Sequence, residues 1–213
     1  MALAYLLGKA SAKSLNVNPN IPLLLVLSLL PDIDIIFAHL TGLELHRGFT
    51  HSLFFAVAVF IPFFLFYGKQ AVPYFLALIS HAFIGDFIVG GQLQLFWPFT
   101  TSLFGLHEAG FMFIDIYSSI NIALELSLFS IALLVMVITR DYRLFFKNKK
   151  TNLVLIIPLV TVLLPTILGY PFNEALVFTS PIMAGAHLFY LVLFSIAVLT
   201  VLLPKNQSKT NLR

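Results

Sequence analysis

The sequence predicts an all-α fold: a polytopic helical membrane protein of about six spans, the first of them short or broken. Three observations predict it. Of 213 residues, 60% are hydrophobic and only 10% charged, with a mean hydropathy of +0.99. Ordinary soluble domains are about 45–50% apolar and about 25% charged, so too few charged side chains exist here to coat a globule. The apolar residues also run continuously over helix-sized lengths, without the alternation of barrel strands. Finally, most Lys and Arg residues sit in short clusters flanking those runs.

The length suits one membrane domain, 1–213, with a site-bearing region at 1–106 and supporting helices at 107–213. Cysteine is absent, which excludes a disulfide scaffold and leaves the redox compartment unread. The net charge of +3 and pI of 9.2 come from flanking clusters, so they signify membrane anchoring and no nucleic-acid partner.

Residues 1–14 are expected to form an amphipathic or partly inserted helix that stays in place, because Lys9 follows the apolar stretch instead of preceding it. Apolar segments then occupy about 20–38, 49–66, 71–89, 119–138, 151–169 and 182–203. A hydrocarbon core takes about 20 helical residues, which the fourth and sixth segments supply fully. In the first, Ile21 to Leu30 is half a span before Pro31-Asp32-Ile33-Asp34 interrupts it. Thr50 is the expected N-cap of the second.

Six crossings from a cytoplasmic amino terminus put eleven of the twelve basic residues inside, leaving Arg47 outside. That asymmetry makes 140–150 a cytoplasmic loop, places both termini inside and sets the polar stretches at the outer face.

Ionisable groups at bilayer depth are costly and read first as functional. They concentrate in Leu30-Pro31-Asp32-Ile33-Asp34, in His46-Arg47-Gly48-Phe49-Thr50-His51-Ser52 and in Ser80-His81-Ala82-Phe83-Ile84-Gly85-Asp86. Four of six histidines and three of five aspartates lie between 32 and 86, all delivered to one depth. Mixed Asp/His donors suit zinc, with manganese or iron as alternatives, and disfavour calcium. The ligand candidates are Asp32, Asp34, His46, His51, His81 and Asp86, enough for one or two divalent ions. Arg47 and Asp86 are the catalytic candidates, Arg47 because its planar fork fits a phosphate. Arg47 has an equal alternative as an ion-pair partner of Glu44 or Asp34. His81 and Asp86 stand at i, i+5, about 140° apart on an ideal α-helix, so they converge only if the helix is distorted; a π-bulge near Gly85 would do it.

The segments LLPDID, HRGFTHS and SHAFIGDF…LFWPF resemble the YdjM-like family of inner-membrane-associated metal-dependent hydrolases, described as LexA-regulated in some bacteria. The resemblance covers roughly residues 1–106 and is carried chiefly by HRGFTHS. It implies a helical membrane protein with a metal-dependent hydrolase site. A more distant likeness is to zinc-dependent phospholipase C and nuclease enzymes, which use helical His/Asp sets. The chain departs from the family pattern twice. Met1-Ala2-Leu3-Ala4-Tyr5 lacks the family's Thr-His pair, and four residues instead of three separate His81 from Asp86.

Elsewhere, His39 is a candidate for an outer place near the cluster, and His107-Glu108 for added ligands. His187 reads as a core histidine bonded across helices, and Glu125 as an inter-helix hydrogen-bonding group. Trp97-Pro98-Phe99 suits an interfacial aromatic anchor or a wall for acyl chains. The expected function is hydrolysis of a phosphoester, or another ester, in a membrane lipid or lipid-linked substrate near the outer leaflet. A non-catalytic metal-stabilised scaffold and an ion-coupled transporter are the alternatives.

Overall fold

A computed structural model describes residues 1–42 and 46–203. Among these the elements are helical, with one isolated antiparallel bridge, Leu93 to Phe104. The first helix, α1 (Ala2–Leu15), is not peripheral. It packs against α5 (Val72–Ser80) and α6 (Ser119–Ile138), and fully buries Tyr5. Gly8 lets it approach α2 (Ile21–Leu27), since a Cβ there would collide with the Leu24 side chain. On its polar end the Tyr5 hydroxyl donates to Asp141 at 2.7 Å, and Lys9 pairs with the same carboxylate at 2.9 Å. This ties α1 to the basic loop after α6.

The first apolar segment is broken, as the sequence implies. α2 has seven residues and α3 (Ile33–Thr41) nine, so α2 reaches only about 10 Å along its axis. Asn20 caps α2 by accepting from the Leu23 amide.

Four helical stretches among the described residues are long and apolar enough to cross a membrane: Leu53–Asp86, Ser119–Ile138, Lys150–Leu168 and Pro181–Leu202. The count of six expected from the sequence is therefore not reached. The longest stretch accounts for part of the difference, because it folds back on itself. The rings of Phe60 and Phe75 lie 4.2 Å apart, whereas residues fifteen apart on a straight helix are separated by about 22 Å. The bend falls where α4 (Leu53–Tyr67) ends at Gly68, whose φ of +52° a glycine adopts readily. The two arms of this hairpin begin and end at the same level.

α4 is capped by Ser52, not Thr50: the Ser52 hydroxyl accepts from the Phe55 amide at 3.1 Å. The Thr50 hydroxyl is engaged by a carboxylate instead. After α6, a basic connection leads to α7 (Ile156–Leu163), a wide turn at Leu164–Leu168, the four-residue α8 (Leu176–Thr179) and α9 (Pro181–Leu202). Tyr190, Phe194 and Ala197 of α9 join Leu24, Leu25 and Ala77 in the core. Large exposed side chains such as Phe66, Leu134 and Leu202 point outward from the long helices, which suits lipid as the surrounding solvent.

Candidate metal centre

Each polar stretch reaches the centre through an interruption of regular helix. Asp32 occupies the N-cap position of α3, yet its carboxylate makes no capping hydrogen bond. It turns instead to His81. Asp34 lies in the first turn of α3 and is buried. The next stretch enters through Arg47, a non-glycine residue at φ +64°, and a 3₁₀ turn at Phe49–His51. His51 is 0% exposed. The third stretch is a π-helical turn, His81–Asp86, at the end of α5. A π turn bonds i to i+5, so it stacks His81 and Asp86, as the spacing requires.

His51 is the hub. Its Nε2 lies 3.5 Å from Asp32 Oδ1 and 3.3 Å from Asp86 Oδ2. His81 Nε2 lies 3.0 Å from Asp32 Oδ1 and 3.2 Å from Asp86 Oδ2. On the other ring nitrogen, His51 Nδ1 is 3.2 Å from Asp34 Oδ2. Asp34 Oδ2 also accepts the Thr50 hydroxyl at 2.7 Å, and its Oδ1 lies 3.2 Å from His46 Nδ1. Two groups have donor atoms mutually within 4.8 Å: Asp32, His51 and His81, and then Asp34, His46 and His51.

Three carboxylates and three imidazoles at one place need a charge balance, which comes from protons on the rings or from a cation. For Asp34 and His51, both outside the four spanning stretches, the fields oppose one another. Burial works to raise the Asp34 pKa, but hydrogen bonding with His46 and His51 outweighs it and holds the carboxyl below its usual range. Burial works to lower that of His51, and contact with Asp32, Asp34 and Asp86 outweighs it and pushes the imidazole up.

The donor set fits a divalent ion on two counts. His51 Nε2 and Asp86 Oδ2 are buried and face each other, yet neither has a hydrogen-bond partner, and an orphaned buried pair is costly. Donors about 2.0–2.2 Å from one tetrahedral zinc stand about 3.3–3.6 Å from one another. The four nitrogen-to-carboxylate separations around His51 and His81 are 3.0–3.5 Å, and among these residues Asp32, His51 and His81 offer donor atoms all within 4.8 Å of one another.

Arg47 borders the same carboxylate: its terminal nitrogen is 3.8 Å from Asp86 Oδ1, too long for a hydrogen bond. Its Nε is buried and unpartnered. The guanidinium lies over Gly90, where a Cβ would sit 2.8 Å from both terminal nitrogens. Glu44, the other partner weighed for Arg47, lies outside the described residues, as does the basic tail at 204–213.

Five of the six expected ligands, Asp32, Asp34, His46, His51 and His81, make up the two mutually close groups, and Asp86 lies against His51 and His81. The outlying histidines do not join them: His39 meets the Tyr170 ring edge-on at 5.0 Å, and His107 meets Phe113 at 5.2 Å. Glu108 accepts from Gln92. His187 Nδ1 lies 3.3 Å from Thr166, the cross-helix bond expected of it. Together with Glu125, His187 lines a separate cavity between α6 and α9. Sequence reasoning missed Thr50 as a partner of Asp34, because a hydroxyl ahead of a helix reads first as a cap. It also missed Gly90 as a seat for Arg47.

A family model described as YdjM inner membrane protein matches residues 1–208. The chain belongs to that family, and the match runs well beyond residues 1–106, into the supporting helices. No curated protein and no solved structure matches the chain.

Proposed function

We propose that this inner-membrane protein is a metal-dependent hydrolase that cleaves a phosphoester, or another ester, of a lipid or lipid-linked substrate from a site near the outer leaflet. The observation that carries the reading is the buried, unpartnered pair His51 Nε2 and Asp86 Oδ2, 3.3 Å apart and flanked by Asp32 and His81. Those four residues would hold a first ion, zinc by donor type, with manganese or iron served by the same set. Such an ion supplies Lewis-acid polarisation of a phosphoryl oxygen and a nucleophilic water at neutral pH.

The other residues prepare that site. The Thr50 hydroxyl, which donates to Asp34, is left to accept from His51 Nδ1 at 3.2 Å, with Asp34 Oδ2 at the same distance; a proton held on Nδ1 leaves the Nε2 lone pair directed at the cluster. Thr50 and His46 hold the two oxygens of Asp34 in turn. We assign Asp34 and His46 to this orienting role for a single ion; as ligands they would serve a second. Arg47 offers its free Nε and planar fork to a substrate phosphate. Asp86, between the imidazoles and Arg47, links the ion-holding atoms to the anion-holding one.

The test is metal content and turnover of phospholipid and lipid-linked phosphoesters by protein in nanodiscs. His51→Ala should lose both; Arg47→Lys should keep the metal and lose turnover. Metal without hydrolysis of any ester class would sink the enzyme in favour of a metal-stabilised scaffold, and ion flux without hydrolysis would indicate a transporter. Sidedness has its own check: protease added from the cytoplasmic face should cut the 140–150 loop.

A further inference from the structure

The connection between the π turn and α6 is ordered, yet its outer surface is strongly apolar. Six main-chain hydrogen bonds secure it. Leu93 and Phe104 exchange two, at 2.9 and 2.8 Å, and Gly90 N donates to Ile114 O at 2.9 Å. Leu106 N donates to Phe87 O, Leu53 N to Leu95 O and Gln94 N to Arg47 O. Gly105 and Gly91 touch so closely that a Cβ on Gly105 would lie 2.5 Å from Gly91 backbone atoms. A segment fixed this firmly nevertheless exposes Phe96, Phe99, Leu103, Phe111, Met112 and Phe113, with Phe99 83% exposed. Holding such a face in water is unfavourable, because exposed apolar surface is stabilised by removal from water.

We propose that residues 90–118 form a collar inserted among the lipids of the leaflet on the side of the Asp/His cluster. Charge favours lipid over an aqueous or anionic-surface contact. No Lys or Arg occurs between residues 70 and 139. The two acidic residues of the segment, Glu108 and Asp115, are exposed, hydrogen-bond to Gln92 and to the Tyr117 amide, and belong at the headgroup level. Position favours it too, because the collar begins at the end of one spanning stretch, at Asp86, and finishes at the start of the next, at Ser119. Trp97 meets Phe49 edge-on at 4.9 Å, and Phe49 opens the 3₁₀ turn that carries His51. The collar and the cluster are thereby packed together, and the approach to the cluster from the collar's side is a lipid environment. This inference stands apart from hydrolysis.

Trp97 is the single tryptophan of the chain, so intrinsic fluorescence reports on the collar alone. The full chain is reconstituted in phosphatidylcholine vesicles containing lipid brominated near the headgroup end, at mid-chain or near the terminal methyl. The expected result is strong quenching by the shallow bromines, falling towards the bilayer centre, with little quenching by aqueous iodide. Phe99→Ser with Phe111→Ser should raise iodide accessibility and weaken quenching by brominated lipid. Iodide quenching with no bromine effect would place the collar in water and overturn the proposal. Bromine quenching that appears only after diluting the protein in lipid would point to a second copy covering the face, and would overturn it equally. Lipid quenching in a protein without metal or turnover would uphold the collar while the hydrolase reading fails.

Discussion

Two π turns occur among the described residues, and they have different causes. At Leu164–Leu168 the cause is local: Pro165 has no amide hydrogen to give, and the helix widens around the missing bond. The turn at His81–Asp86 contains no proline; Gly85 makes it pliable but, keeping its amide hydrogen, does not impose the widening. What it does is bring His81 Nε2 to 3.2 Å from Asp86 Oδ2 and both to His51. One distortion follows from the residue inside it, the other from partners in distant segments. A helix defect with no local cause is therefore the better guide to a site.

The comparison can be broken in several ways, and the largest effect is expected at the hub. His51→Ala removes the shared imidazole, so bound metal should fall to background by elemental analysis, whereas Thr166→Ala within the other π turn should leave it intact. Next comes the register of the first turn. One alanine inserted between Ala82 and Gly85 should abolish metal binding. Deleting Gly85 should preserve it, because i, i+4 on an ordinary α-helix again shares a face. Retention of metal by the insertion variant would show that the turn does not position its ends.

A middle-sized effect is expected from Asp34→Ala, which spares Asp32, His81 and Asp86 but frees the His51 ring; loss of such an orienting carboxylate weakens metal affinity by about 10–100-fold. Acidity should act in the same direction. Protons compete for the imidazoles, so affinity should fall as pH is lowered and recover as it is raised, as titration with a zinc indicator would show. The smallest effect belongs to Pro165→Ala. It should leave metal content unchanged and move thermal stability by about 1 kcal/mol, a shift of about 2–4 °C for a chain of this size.

The membrane class, the broken first segment and the gathering of Asp and His side chains were legible in the sequence, because burial of charge in lipid is so unfavourable that Asp32, His51 and Asp86 need partners close by. The need for distortion between His81 and Asp86 was legible as well, from residue spacing alone. Span count was not. The segments at 49–66 and 71–89 stand as the two arms of the Leu53–Asp86 hairpin, as read, whereas the first apolar segment yields only α2 of seven residues and α3 of nine, neither long enough to cross. Nor was the place of α1 at the core, where small residues Ala4 and Gly8 matter by contact with α2 and α5 rather than by hydropathy. The switch of Thr50 from cap to carboxylate partner needed the position of Asp34, sixteen residues away.

The α4–α5 hairpin bears on the choice of bilayer. α4 has fifteen residues and so a length of about 22 Å, against about 30 Å of hydrocarbon in a typical membrane. Lys69 sits exposed at its tip and prefers the far interface. Hydrophobic mismatch of that size is relieved by thinning the surrounding bilayer. Short-chain phospholipids should then be the hosts in which this protein is most stable, and long-chain ones those that strain the pivot at Gly68.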